Sequence, residues 1–310
     1  MGTDNAARPN APWLPLVLLA GYLGVLALTA SALQTLAPDR LSVSLFGHIK
    51  IFDHLHARLF SDLLTLFALT PLALGVEALV VGWERCSLRA LAVGRTPSMD
   101  TDLAIFLLGQ IKVLDVLGRI LMLGASLISG AWLAAELKTR FGFEVSPRGL
   151  PFPAQVVLYF YVYSFFDYWT HRADHWWVFW PLHRYHHSAT DFCVLSAERQ
   201  HPASGLVGVF IINVPLAVLG ASAEVMIWVN TAVGLLGLII HSRIDADWGW
   251  AGRWLIQSPN GHRLHHKLDM STTTGNYAIA PVWDRLFGTA VGEGSGVLAI
   301  GVEDPYRQHA

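Results

Sequence analysis

The chain has 310 residues, of which 53% are hydrophobic and only 14% charged, with a mean hydropathy of +0.43. Soluble domains carry about 25% charged residues, so an ordinary cytosolic enzyme is excluded, and the length leaves no room for a soluble catalytic domain beside a full multi-span membrane domain. A net charge of −2 excludes a global basic field for nucleic acid, and two cysteines, Cys86 and Cys193, exclude a disulfide framework.

Spanning helices need roughly 20 mostly apolar residues. In chain order, Trp13–Leu33 meets that requirement, although Ala30-Ser31-Ala32 also allows it to be read as a secretory leader with Arg8 as its one basic residue. Leu63–Trp83 follows, with Glu77 inside it. Leu103–Ala135 is interrupted by Lys112, Asp115 and Arg119, which predicts a partly amphipathic helix and then one span near Ile120–Ala135. Pro153–Phe166 continues past the membrane edge to Asp167 and His171. Gly205–Ile240 holds 36 residues broken at Gly220-Ala-Ser-Ala-Glu224, which makes either two tilted spans or a re-entrant hairpin. In both cases the chain returns to the side it left. The face shared by residues before Gly205 and after Ile240 carries nine of the 21 Lys and Arg, while the hairpin tip carries none, so that face is expected to be cytoplasmic.

Fourteen histidines stand against those 21 basic residues, and ten of them fall between 171 and 266. His171-Arg-Ala-Asp-His175 is an H-x3-H pair. His183-Arg-Tyr-His186-His187 and His262-Arg-Leu-His265-His266 are two copies of H-x2-H-H, and His241 stands alone after the apolar hairpin. On a helix, positions i, i+3 and i+4 share one face, so each cluster aims imidazoles at a point. Nine convergent imidazoles overfill one tetrahedral ion, and two metals with four or five ligands each is the economical solution. Imidazole suits zinc, copper, iron or nickel rather than magnesium or calcium. An unactivated alkyl chain offers no carbonyl to a zinc-bound hydroxide, which favours iron with O₂.

The ordered boxes resemble those of the fatty acid hydroxylase superfamily, also called the sterol desaturase family, whose members are membrane di-iron oxidases. Three flanking stretches strengthen the resemblance: Asp167-Tyr-Trp-Thr-His171-Arg172, Arg199-Gln-His201-Pro202 and Trp283-Asp-Arg-Leu-Phe-Gly288-Thr289. It covers about residues 150–290 and implies O₂-dependent hydroxylation or desaturation of a lipid C–H bond. The substrate would be a sterol, fatty acyl chain or ether lipid. Electrons would come from a separate cytochrome or ferredoxin type protein with its reductase, since no haem or iron–sulfur segment is recognisable here. Zinc is expected to replace iron on purification. Two departures stand out: Asp245 where relatives often carry a second histidine after the lone one, and Asn276-Tyr277-Ala278 in place of Asn-Tyr-Gly. The second site is therefore completed by histidine alone, by Asp245 or by water.

The expected ligands are His171, His175, His183, His186, His187, His241, His262, His265 and His266. Asp167, Asp174, Glu198, His201 and Asp245 are expected around them, orienting imidazoles through the ring nitrogen that does not bind metal. Trp176, Trp177, Trp180, Trp248, Trp250 and Trp254 form an interfacial belt or line the route of a lipid. Asp284, Arg285 and Gly288 fix a turn. His48, His54 and His56 sit in an early loop, and His309 in the tail. The expected fold is all-α: a polytopic membrane bundle of four to six apolar helices with a cytoplasmic helical cap holding a histidine-rich dimetal site. It forms one integral membrane domain over 1–310, with mainly N-terminal membrane helices over 1–150, the histidine boxes within 151–290 and a tail over 291–310. A dizinc hydrolase is the first rival, although no H-E-x-x-H is present. A non-catalytic metal transporter or haem-carrying subunit is the second.

Overall fold

The structure, a computed structural model, describes residues 39–302 except 46–47, 53–54, 112, 146, 269–274 and 293–298, together with scattered positions between 20 and 35. The expected span Trp13–Leu33 and its alternative as a leader fall largely outside the described residues, and His54 and His309 wholly so.

The described chain is helical apart from one antiparallel hairpin, β1 (Leu41–Leu45) and β2 (His48–Phe52), with Leu45 opposite His48. This corrects a purely helical expectation, and the cause is local. Leu41-Ser-Val-Ser-Leu45 and His48-Ile-Lys-Ile-Phe52 alternate with a period of two, which suits a pleated strand. His48 thus belongs to a strand and His56 to the following helix, not to a loop.

Helix α1 (Leu55–Val81) contains Pro71 and stops at Gly82, whose φ of 79° only glycine adopts without strain. After a 3₁₀ turn come α2 (Ser87–Val93), α3 (Pro97–Ile111) and α4 (Val113–Phe141). Helix α5 (Phe152–Asp174) opens after Pro151 and runs unbroken past the expected membrane edge, carrying His171 in its last turn. The remaining helices are α6 (Trp180–His187), α7 (Pro202–Val218), α8 (Ala223–Ile240), α9 (Gly249–Trp254), α10 (Pro259–His265) and α11 (Val282–Leu286). Among the described residues two segments are long and apolar enough to cross a membrane, Leu121–Phe141 in α4 and Ala223–Ile240, which is α8; Ala68–Val81 and Val207–Val218 are shorter apolar stretches.

The apolar core lies between α5, α7 and α8, where Tyr159, Tyr163, Ile212, Leu216, Val225, Met226 and Val229 are buried together. Helix α4 joins this layer by a close backbone approach: a Cβ at Gly130 would run into Ala217 and the Val214 carbonyl of α7. The break between α7 and α8 is a tight turn at Gly220 (φ 86°), where a side chain would meet the Val145 carbonyl. Ser222 then caps α8 by accepting from the Val225 amide at 3.2 Å. The hairpin's one polar pair is satisfied internally, Asn230 donating to Asn213 Oδ1 at 2.8 Å. Its role for the site is positional: it carries the chain from α6, past the 3₁₀ turn Val194–Glu198, and back to His241 beside His186.

Candidate metal centre

Four elements meet at one end of this core. The end of α5 supplies His171 and His175, α6 supplies His183, His186 and His187, the C-cap of α8 is His241, and α10 with its C-cap supplies His262, His265 and His266. Ser258 sets the start of α10 by accepting from the Gly261 amide at 3.0 Å, which leaves His262 and His265 in the last turn and His266 as the C-cap.

The imidazoles sort into two groups, His171, His175, His183, His187 and His265 in one, and His186, His241, His262 and His266 in the other, with ligand atoms within 4.8 Å of one another in each. Each H-x2-H-H box is divided between them. Its i and i+4 histidines stay together while the i+3 histidine crosses to the other group, so α6 and α10 both bridge the two. The groups abut: the rings of His187 and His266 stack at 4.1 Å.

Backbone carbonyls set the tautomers. His171 Nδ1 donates to the Tyr277 carbonyl at 2.6 Å, His265 Nδ1 to Gly275 at 2.7 Å, His241 Nδ1 to Gly237 at 2.7 Å and His186 Nδ1 to Arg199 at 3.2 Å. A neutral imidazole that gives its proton from Nδ1 keeps a bare lone pair on Nε2. Yet His186 Nε2 and His241 Nε2 face each other at 3.2 Å, and His241 Nε2 also faces His262 Nε2 at 2.9 Å. In the other group His183 Nε2 stands 3.1 Å from both His171 Nε2 and His187 Nε2. Burial holds the rings neutral: His171 and His241 are pushed down to about 4, and His183, His186, His187, His262, His265 and His266 well below the usual histidine range. Six further buried ring nitrogens, on His175, His187, His262, His265 and His266, have no hydrogen-bond partner among the described residues.

Facing lone pairs in a dry pocket repel unless a cation lies between them. Nitrogens bound to one ion at about 2.1 Å stand roughly 3 to 3.4 Å apart, and the observed separations match that. The residues present therefore fit metal ions. No carboxylate joins either group among the described residues.

The surrounding residues divide. The Tyr277 carbonyl, rather than Asp167, meets His171 Nδ1; Asp167 is half-buried, bonds the backbone at Ile279, and is pushed up to about 7 by desolvation. Asp174 Oδ2 lies 3.9 Å from His183 Nδ1, Glu198 is half-buried in its 3₁₀ turn, and His201 is exposed. Asp245, at the position where a tenth histidine was conceivable, is also exposed and belongs to neither group. Trp176, Trp177, Trp250 and Trp254 are exposed, but Trp180 packs on His175 and His187 at ring distances of 5.2 and 5.4 Å, so it walls the pocket.

Asp284 is the expected turn-former. Its carboxylate accepts from the Tyr277 and Ala278 amides at 2.8 and 2.9 Å and from Thr289 Oγ1 at 2.8 Å, which fixes the carbonyl that orients His171. Sequence reasoning missed Tyr277 and Gly275, which act through backbone atoms. It also missed Phe192, whose ring lies 4.9 Å from that of His266.

Apolar helices thus lead into a buried cage of imidazoles whose arrangement fits metal ions. Residues 156–289 match the family model for fatty acid hydroxylases. The chain is 30% identical over 176 residues to the ornithine lipid hydroxylase OlsE of Rhizobium tropici, covering 52% of this chain and 53% of that protein. It is 31% identical over 133 residues to the alkylglycerol monooxygenase of Xenopus tropicalis, covering 42% and 29%. It is 29% identical over 148 residues to methylsterol monooxygenase 2-2 of Arabidopsis thaliana, covering 45% and 53%. The chain thus spans about half the length, or less, of these relatives. No solved structure matches it.

Proposed function

We propose that the chain is a multi-pass membrane lipid hydroxylase, with desaturation as the same chemistry carried one step further, and that its nine clustered histidines hold two iron ions on the cytoplasmic face. The observation that carries this reading is the pair of bare Nε2 atoms of His186 and His241 at 3.2 Å, buried, with both Nδ1 protons already donated to carbonyls. The relatives named above are hydroxylases and monooxygenases of lipids by name, which supports oxidation over hydrolysis.

Iron held there would supply the reductive activation of O₂ that an unactivated C–H bond requires. Hydroxylation consumes one O₂, two electrons and two protons, and releases water beside the alcohol. The electrons come from a separate cytochrome or ferredoxin type protein with its reductase. The chain's own residues do the rest. Carbonyls of Tyr277, Gly275, Gly237 and Arg199 hold the imidazoles in the tautomer that turns Nε2 inward. Rings of Trp180, Phe192 and Tyr277 pack against the cage and exclude water. The apolar faces of α7 and α8 offer a lipid its way to that end of the core.

The test is metal analysis of anaerobically purified protein together with lipid mass spectrometry of cells expressing wild type or His186→Ala. Two irons per chain and a wild-type-dependent gain of one oxygen, or loss of two hydrogens, in one lipid class are expected. His186→Ala or His265→Ala retaining wild-type turnover sinks the assignment.

A further inference from the structure

Two carboxylates ahead of the matched residues 156–289 are completely buried, Glu77 in α1 and Asp102 in α3. A buried ionisable group in an apolar helix is costly, and it persists where it has a partner and a task. Neither touches a histidine ring. Each instead grips a stretch of backbone that carries one.

Glu77 Oε1 accepts from the Arg243 amide at 2.7 Å, two residues beyond His241. The same carboxylate takes Ser87 Oγ at 2.7 Å and the Ser87 amide at 2.6 Å, and Ser87 Oγ in turn accepts from the Val194 amide at 3.1 Å. Asp102 Oδ1 accepts from Arg199 Nε at 2.6 Å, and Oδ2 from Ser196 Oγ at 2.6 Å. Arg199 is itself 1% exposed and is held further by the Ser98 carbonyl at 2.6 Å and by Ser188 Oγ at 3.1 Å. Its own carbonyl is the one that receives His186 Nδ1–H. His186 and His241 are members of the same group of four. The carbonyls orienting the group of five are braced from inside the matched residues, by Asp284 at Tyr277 and by the Asn276–Thr289 backbone bond beside Gly275.

We infer that Glu77 and Asp102 are positioning residues for the four-histidine site alone: Glu77 fixes the chain just past His241, and Asp102 fixes the carbonyl that orients His186. The inference rests on the two-metal reading of the cage. It makes the helices ahead of the matched residues part of the metal centre rather than a membrane anchor only.

The test is anaerobic Co²⁺ titration of the full chain in detergent after removal of metal, followed by absorption and by stoichiometry. Wild type is expected to take up two Co²⁺. Asp102→Asn and Glu77→Ala are each expected to weaken one of the two about 10–100-fold, the usual cost of losing a partner that orients a ligand, and to leave the other unchanged. Glu77→Gln, which keeps an acceptor oxygen and the side-chain volume, is expected to recover part of the loss. In a His183→Ala background, which removes a ligand of the five-histidine group, Asp102→Asn should leave no tight ion. In a His241→Ala background it should change little. Equal weakening of both ions in the conservative variants Asp102→Asn and Glu77→Gln, the mark of a merely structural role, overturns the inference, as does retention of both. A wild-type chain that binds fewer than two ions overturns the two-metal reading itself, and this inference with it.

Discussion

The two histidine groups have the same chemistry but different engineering. The group of five takes its histidines from α5, α6 and α10, and its orienting carbonyls from the loop at 275–277 that Asp284 ties down. All of that lies within residues 156–289. The group of four draws His241 from the far end of an apolar hairpin, and its supports reach back to α1 and α3. Both sites need helices distant in sequence, but the group of five finds its supports within residues 156–289, whereas the group of four leans on α1 and α3 ahead of them. The sites nevertheless share α6 and α10, each of which sends histidines into both groups.

The largest effects come from removing ligands. His183→Ala and His241→Ala should each cost one ion, from different groups, and each should reduce turnover below detection, because one ion cannot replace the pair. Metal stoichiometry beside a lipid hydroxylation assay checks this. Loss of both ions from His241→Ala would show that the groups are not separable. Acid is the next largest perturbation. Burial lowers His171 and His241 to about 4 in the fold, against about 6.5 in an unfolded chain. Between those values the unfolded state binds more protons, so the stability of the metal-free chain is complete above about 6.5 and drains away as pH falls towards 4. Thermal melts of metal-free wild type at pH 7 and pH 5 should show a lower Tm at pH 5, and the difference should shrink in His241→Ala.

Asp284→Ala sharpens the comparison from the other side. It leaves the buried Tyr277 and Ala278 amides without acceptors. At about 1–3 kcal/mol for each unsatisfied group, a loss of roughly 2–6 kcal/mol is expected in denaturant or thermal unfolding. The ion held by the group of five should weaken more than its neighbour, since the carbonyl set free is the one that orients His171.

Much of this site was legible because histidine spacing and helix geometry are the same information. Eight of the nine histidines stand at i, i+3 or i+4 within their boxes, a spacing that gathers each box on one helix face, and His241 joins them in space. The division of each box between two groups was not legible, because it depends on how α6 and α10 lie against each other. Neither were the orienting carbonyls, since any residue type supplies one. Glu77 registered only as an interruption in an apolar run, and Asp102 not at all, because their partners lie 166 and 97 positions away. The hairpin at 41–52 was written plainly in its alternation, but hydropathy over a long window averages a period of two to nothing.

The smallest expected effect probes what the two groups share. Ser258 caps α10, which with α6 sends histidines into both groups. Ser258→Ala removes one acceptor from the Gly261 amide and should cost about 1 kcal/mol, the ordinary value of an N-cap. The cap acts on the start of α10, one to two turns from His262, His265 and His266, so its loss should loosen all three together. Both ions should therefore weaken by a similar, modest factor, unlike the one-sided losses expected from Asp284→Ala and Asp102→Asn. Ser258→Asp, which restores a capping oxygen, should return both. If Ser258→Ala weakened one ion and spared the other, α10 would not be a shared support, and the two groups would be more independent than their stacked rings at His187 and His266 imply.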